Sequence, residues 1–497
     1  NYHGECVDNA QYCNDKLVGI YAYADEYFSV TKESGIDKNG HGSHTASTAA
    51  GNVVKNVEYF DRVNYKTKDI AGVAPHANIM SFQVCNKDGY CSEAAAILSI
   101  EKAIELGVDV LNYSIGGSQV RPWEDAVSLA FLNAREAGVH VAVSNGNSGP
   151  YSYSVGTPAS APWVTSVGAT SFGRSAYASE LIFSGGVSQL NAMSGIAATG
   201  DVEGELIYAG DINLANTDFD SKLCASPFPS GSVTGKVVLC ERGEVDRTAK
   251  SANVKSGGAI GMILGNTLDT ADDLWADSSY YTHAVPTIHI DRNKTQAIKS
   301  WLSVGNAHFI NMTASHYGIV DSQAHSLATF SSQGPLVYTA SLSPSIIAPG
   351  EQIFAAGAGE NAFTPSIQKD YTFMSGTSMS SPHMAGAFAL IKAVKPEWSP
   401  AQAQSAVMLT ADNSAFSGYK DTGTAFVHSS LLENNRSDAF AVGSGMVQLD
   451  RVINSGLIMS ESTDNYIAIK DAVSDFDMNT ANLAGLHCFD ICKWQKT

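Results

Sequence analysis

Three short segments of this chain hold residue types that together could carry out acyl transfer. The first, MSGTSMSSPHMAGAFALIKAV, starts at Met374 and places Ser378 between a Gly-containing turn and a helix-like run of Ala, Gly and Ser. A serine at a helix N-terminus lies beside unpaired N–H groups and positive potential, where an oxyanion can be stabilised. The second, NGHGSHTASTAAGN, sets His41 and His44 at the head of another small-residue helix. Serine is a weak nucleophile until a base takes its proton, and histidine has the pKa for that near neutrality. The third, AVSNGNSGP, closes an apolar run with Asn147 in a turn. A side-chain amide there can donate to a developing oxyanion, a contribution of ~3 to 4 kcal/mol.

Each segment also has a plainer reading. Alone, Ser378 is equally a capping serine, His41 and His44 are a pair of metal ligands three apart, and Asn147 is a turn former. Their conjunction is what points to catalysis.

The elements around these segments have the period of an α/β protein. From about residue 69 to 170, apolar runs alternate with helical patterns: NIMSFQVC, SEAAAILSIEKAIELG, VDVLNYSIGG, WEDAVSLAFLNAREAG and VHVAVSNGNSG. That order predicts a parallel sheet covered on both faces. Such sheets place active sites at the carboxyl ends of their strands, where SIGG and SNGNSG fall. Between about 200 and 325 short β-rich runs (KVVLCERG, AIGMILGN, AVPTIHID) predict an inserted domain. From about 326 the first style returns, so the core domain is discontinuous in sequence. Ser399 and Pro400 read as the cap and first residue of a later helix.

Composition bounds the function. Hydrophobic residues make up 44% of the 497 and charged residues 16%, a globular balance. Asp and Glu outnumber Lys and Arg by 49 to 30, and a net charge of −19 argues against a nucleic-acid partner. No run reaches the ~18 consecutive apolar residues of a membrane span, so no membrane partner is expected. The chain starts at Asn1, which reads as a trimmed product with its true N-terminus upstream. Its eight cysteines fall into local pairs: Cys6 with Cys13, Cys85 with Cys91, Cys224 with Cys240, and Cys488 with Cys492. Disulfides are the expected reading, and zinc the rival, although CxxC knuckles are absent. Disulfides imply an oxidising compartment and a secreted protein.

In order, HGSHTAS, SNGNSGP and GTSMSSPH resemble the His, Asn and Ser motifs of the subtilisin-like serine proteases. HGECVDNAQYCNDKLVG, VCNKDGYCS, GKVVLCERG, FSSQGP and FAVGSGMV are similar to landmarks of the larger, cucumisin-like members. The resemblance implies a three-layer parallel-sheet catalytic domain with an inserted protease-associated domain. Its bounds would be 1–199 and 326–455 for the catalytic domain, 200–325 for the insert, and 456–497 for a C-terminal extension. It implies a secreted serine endopeptidase acting on proteins through an acyl-enzyme, with Ser378 as nucleophile, His41 as base, His44 structural and Asn147 in the oxyanion hole. Ser114, Ile115 and Gly116, in NYSIGG, would pair with an extended substrate by strand addition. The implied enzyme is made as a zymogen and needs no cofactor; structural calcium is not legible in this sequence.

One part of the pattern is missing. The triad carboxylate of such enzymes follows an early apolar strand in a DTG or DSG motif, before a landmark that begins here at His3. The triad Asp is therefore expected upstream of Asn1, on an N-terminal fragment that stays bound as a strand. Glu33 in ESGI and Asp37 in DKNGHG do not fill the role: Glu33 follows the polar run SVTK, and Asp37 matches a different family residue. A catalytically impaired fragment that binds peptides is the rival reading. An α/β-hydrolase esterase would need GxSxG and its base histidine after the serine, whereas GTSMS lacks the second glycine and the base His41 precedes Ser378.

Overall fold

A computed structural model of the chain describes residues 2–24, 35–60, 65–86, 89–171, 175–196, 201–212, 221–243, 245, 247–267, 283–290, 292–314, 316–319, 327–328, 330–358, 370–413, 419–421, 426–428, 438–471, 478–481 and 496. It divides into two compact units: Asn1–Tyr59, Thr67–Phe172 and His325–Thr497 form the first, and Phe60–Lys66 with Gly173–Ala324 the second.

The first part of the chain runs through β1 (His3–Gly4), β2 (Leu17–Ala22), α1 (His41–Ala50), the paired strands β3 (Val54–Phe60) and β4 (Tyr65–Ile70), whose linked ends are counted with unit 2, and β5 (Ile79–Gln83). It continues with α2 (Glu93–Glu105), β6 (Val110–Tyr113), α3 (Ala126–Glu136), β7 (His140–Ser144) and β8 (Thr165–Thr170). Local chemistry sets the helix starts. The Ser92 side chain accepts from Ala95 N ahead of α2, and the Asp125 side chain accepts from Ser128 N ahead of α3.

Unit 2 contains β9 (Ser175–Gly185), β10 (Met193–Ile196), β11 (Val202–Tyr208), β12 (Lys236–Glu241), α4 (Arg247–Ser256), β13 (Gly261–Gly265), β14 (Thr287–Ile290), α5 (Arg292–Leu302), β15 (His308–Met312) and β16 (His316–Ile319). Its sheet runs in the order β10-β14-β13-β12-β11-β15-β9-β16, and β10 pairs also with β9, so the sheet closes on itself. Val237 and Leu239 of β12 face a core shared with Ile298 and Trp301 of α5. Val238 and Cys240 face the opposite core, shared with Val254 of α4. The sequence placed this region's start at 200 and read few helical periods in it. In the structure it begins at Gly173, because β9 and β10 are integral strands of its sheet, and two helices cover that sheet.

Unit 1 resumes with β17 (Ile346–Pro349), the paired strands β18 (Ile353–Ala356) and β19 (Tyr371–Met374), α6 (Thr377–Val394) and α7 (Pro400–Thr410). As the sequence suggested, Ser399 caps α7, here in a reciprocal box with Gln402, and Pro400 opens the helix. The strands β17, β8, β7 and β6 form one parallel sheet. Val141 and Val143 of β7 point into a core with Ile100 of α2 and Phe131 of α3. Ala142, between them, points into a second core with Phe388 of α6 and Val407 of α7. This alternation makes three layers and explains why VHVAV reads as an unbroken apolar run.

The region from 456 onward is not a separate extension. Tyr466 and Met478 lie in the same core as Trp163 and Phe131, with the Tyr466 ring edge-on to Trp163 at 5.6 Å. The aromatic residues are few and far apart in sequence there, so the sequence hid this packing.

A second parallel sheet joins β1, β2 and β5. Among the described residues β5 pairs only with β2, and β6 only with β7. Every residue of β7 and β8 is buried, whereas every residue of β5 and β6 is half-buried. The crossover through α2 thus joins two edge strands.

One buried group opposes folding in acid. His140 is 1% exposed and stacks on Phe388 at 5.2 Å, and neither ring nitrogen has a hydrogen-bond partner among the described residues. Burial, helped by the nearby charges of Lys392 and Arg135, lowers its pKa to about 4. Above the unfolded value of 6.5 both states hold a neutral ring; as pH falls toward 4 only the unfolded chain takes the proton, so stability is lost across that window. His140→Phe is expected to cut the stability drop between pH 8 and pH 4.5 by about 2 to 3 kcal/mol, read from denaturant unfolding at the two pH values. An unchanged drop would show that His140 is not the group responsible.

Candidate active site

Helices α1 and α6 approach at backbone distance. A Cβ on Gly386 would lie 2.6 Å from the Ala49 carbonyl oxygen and 2.6 Å from Val73 Cβ, so only glycine fits the crossing. Nearer the two N-termini, His44 lies within electrostatic reach of both His41 and His383. The helices therefore run side by side in the same direction. Eight residues before the contact on each helix (49 − 41 = 8; 386 − 378 = 8), a rise of ~12 Å, stand His41 and Ser378 at the same end of the pair.

Ser378 is the second residue of α6, and among the described residues its N–H donates to no protein acceptor. Its hydroxyl donates to the Ser114 carbonyl at 3.1 Å, and the Ser114 hydroxyl donates back to the Ser378 carbonyl at 2.8 Å. Ser114 ends the segment that continues β6. Gly117 N donates to Thr157 O at 2.9 Å, while the Ile115 and Gly116 backbones make no hydrogen bond among the described residues. An open backbone edge thus begins beside the Ser378 hydroxyl.

Asn147 follows β7 on the turn that leaves the sheet. Its side-chain oxygen accepts from Thr377 N at 2.9 Å and from the Thr377 hydroxyl at 2.8 Å, and that hydroxyl accepts from Gly146 N at 3.1 Å. A backbone N–H can only donate, so the amide orientation is fixed with Nδ2 on the free side. Nδ2 lies 3.5 Å from the position of a Cβ on Gly376, two residues before Ser378. Thr377 is the residue that sequence reasoning missed here. Its place directly before the serine in GTS was the available signal.

His41 opens α1 behind Gly40, which takes the left-handed φ of 93° that glycine tolerates. Burial lowers the His41 pKa, and the Asp37 charge partly restores it. The Asp37 carboxylate is itself occupied: it accepts from Asn39 N, Gly40 N, Ser43 N and the Ser43 hydroxyl. Burial acts to raise the Asp37 carboxyl, but these hydrogen bonds outweigh it and hold the group below its ordinary value. Asp37 organises the turn into α1. Glu33 lies outside the described residues, and among those described no carboxylate is bonded to the His41 ring. His44 is fully buried and donates from Nε2 to the Ile353 carbonyl at 2.9 Å; burial lowers its pKa to about 4, so it stays neutral and structural.

Three disulfides are closed, Cys6–Cys13, Cys85–Cys91 and Cys224–Cys240. Cys488 and Cys492 lie outside the described residues. Among the described residues no group of three or more His, Cys, Asp or Glu side chains is placed to hold a metal ion. No helix among them is long and apolar enough to cross a membrane.

The subtilase family model matches residues 14–430, a span that holds α1 with His41, α6 with Ser378 and the oriented Asn147 amide. The chain belongs to the subtilase family. Its curated relatives include two plant subtilisin-like proteases of Arabidopsis thaliana. SBT1.7 is 34% identical over 484 residues, covering 94% of this chain and 61% of the relative. SBT1.4 is 31% identical over 519 residues, covering all of this chain and 64% of the relative. The subtilase chain thus spans about three-fifths of the length of the curated relatives it matches.

In this subtilase the glycine contact between α1 and α6 sets the position of His41 against Ser378. Gly386→Ala is expected to destabilise unit 1 by about 1 to 3 kcal/mol through overpacking, measured by denaturant unfolding. A variant as stable as the parent would mean that the helices yield at this contact.

Proposed function

We propose that this subtilase is a secreted serine endopeptidase that hydrolyses peptide bonds in proteins. The observation that carries the reading is the cradle at the head of α6: an unbonded Ser378 N–H, with an Asn147 amide that Thr377 orients so that its Nδ2 is free. Two such donors match the needs of a tetrahedral oxyanion. Ser378 attacks the scissile carbonyl while His41 takes its proton, and the oxyanion forms against Asn147 Nδ2 and Ser378 N–H. His41 then gives the proton to the leaving amine, and water releases the acyl group by the reverse path. The substrate backbone adds as a strand along Ser114, Ile115 and Gly116, whose edge is open at Ile115 and Gly116.

His41 needs a carboxylate to fix its tautomer and stabilise its protonated form. We assign that group to an Asp on a strand-forming segment of the same protein, carried as a bound N-terminal fragment and added between β5 and β6. The unpaired, half-buried edges of these two strands support the assignment. We further read unit 2 as a protease-associated domain, and the disulfides as a mark of the extracellular compartment.

A second reading, a peptide-binding protein with impaired catalysis, is favoured by one feature: the Ser378 hydroxyl donates to Ser114 O rather than to His41. A fluorophosphonate probe with peptide mapping separates the two. We expect label on Ser378, loss of label in Ser378→Ala, and a co-purifying Asp-bearing peptide in active material. A wild-type protein that takes no label at Ser378 would favour the binding protein. Full activity without a second peptide would remove the added strand.

A further inference from the structure

The tie between Ser378 and Ser114 depends on side chains to which the reaction above gives no part. Pro382 lies inside α6 and has no N–H, so the carbonyl four residues back, that of Ser378 (382 − 4 = 378), loses its intrahelical donor. The Ser114 hydroxyl supplies the missing hydrogen at 2.8 Å. That hydroxyl has one proton to give, and its lone pair accepts from Asn112 Nδ2 at 3.1 Å. The Asn112 amide is held the right way round because its Oδ1 accepts from the Ser381 hydroxyl at 2.7 Å. Ser381 is fully buried on α6, and Asn112 is on β6. The chain of donors therefore runs from α6 to β6 and back to α6, each bond setting the direction of the next.

The same geometry touches the nucleophile from the other side. The Ser378 hydroxyl rests on the Ser114 carbonyl, at the start of the open edge. A one-residue slip of β6 against α6 would break together the three bonds that cross between them, from Ser381 to Asn112, from Ser114 to the Ser378 carbonyl and from Ser378 to the Ser114 carbonyl.

We propose that Asn112 and Ser381 are positioning residues: with Ser114 and the gap left by Pro382, they lock the register between the nucleophile and the strand edge that receives the substrate backbone. The inference rests on Ser378 being the nucleophile. It adds that the nucleophile and the substrate-pairing strand are aligned by a dedicated relay rather than by packing alone. The lock acts on extended substrates, because only they use Ser378 and the edge at once.

Two probes that both label Ser378 test this in the intact chain. An alkyl fluorophosphonate engages Ser378 and the oxyanion donors, whereas a tetrapeptidyl phosphonate must also lie along Ser114–Gly116. Asn112→Asp keeps the shape of the side chain but turns the donor toward Ser114 into an acceptor; Ser381→Ala removes the hydroxyl that orients the amide. In both variants we expect the peptidyl probe to label ~10- to 100-fold more slowly, and the alkyl probe to stay within ~3-fold of the parent, as for a small misplacement of a reacting pair. Equal slowing of both probes, or no slowing of either, overturns the lock. An unlabelled parent protein would instead remove the Ser378 reading on which it rests.

Discussion

The candidate site in unit 1 depends on two helices meeting at backbone distance. Where α1 and α6 cross, Gly386 faces the Ala49 carbonyl with no room for a Cβ, and the helices run parallel from that point back to His41 and Ser378. Small residues over both helices are what permit this: HGSHTASTAA and TSMSSPHMAGA contain no aliphatic side chain larger than methionine. The price is a thin helix interface with little apolar area of its own. The sheet below compensates, since Phe388 and Ile391 of α6 enter the core with Val167 and Ile346.

The side chains of the candidate site are placed on this scaffold by hydrogen bonds more than by bulk. Asn147 is turned by Thr377, Ser378 is tied to Ser114, and the turn before His41 is gathered on the Asp37 carboxylate. Two of these ties join segments far apart in the chain: Thr377 is 230 residues from Asn147, and Ser114 is 264 from Ser378. Backbone groups take part in every one, so the arrangement tolerates variation in side chains around it while fixing those at the centre.

How much of this was legible in sequence follows from the range of the interactions involved. The alternating strands and helices from β5 to β7, the Ser399 cap and the small-residue helices that begin beside His41 and Ser378 all depend on local period or capping, and local signals survive in one dimension. The three disulfides between cysteines close in sequence were legible for the same reason. The start of unit 2 was not: β9 has an ordinary strand pattern, and only its pairing with β15 and β16 assigns it to that sheet. Tyr466 likewise gives no sign that it packs on Trp163. At the site, motif residues were readable by type, whereas the Thr377 and Asn112 contacts required knowing which turn faced which strand.

The join between the two units has a consequence for how such a chain can grow. On the unit 1 side Thr170 pairs with Leu327, and on the unit 2 side Ser175 pairs with Ile319, so the chain departs and returns through neighbouring residues in both. Paired residues in a ladder stand only ~5 Å apart. The host sheet meanwhile continues directly from β8 to β17, with Val167 beside Ile346. To unit 1, everything from Gly173 to Ala324 is topologically one surface loop, whose length enters its closure entropy only logarithmically. Lineages can lengthen, exchange or delete that loop without re-threading a single strand of the unit 1 sheet.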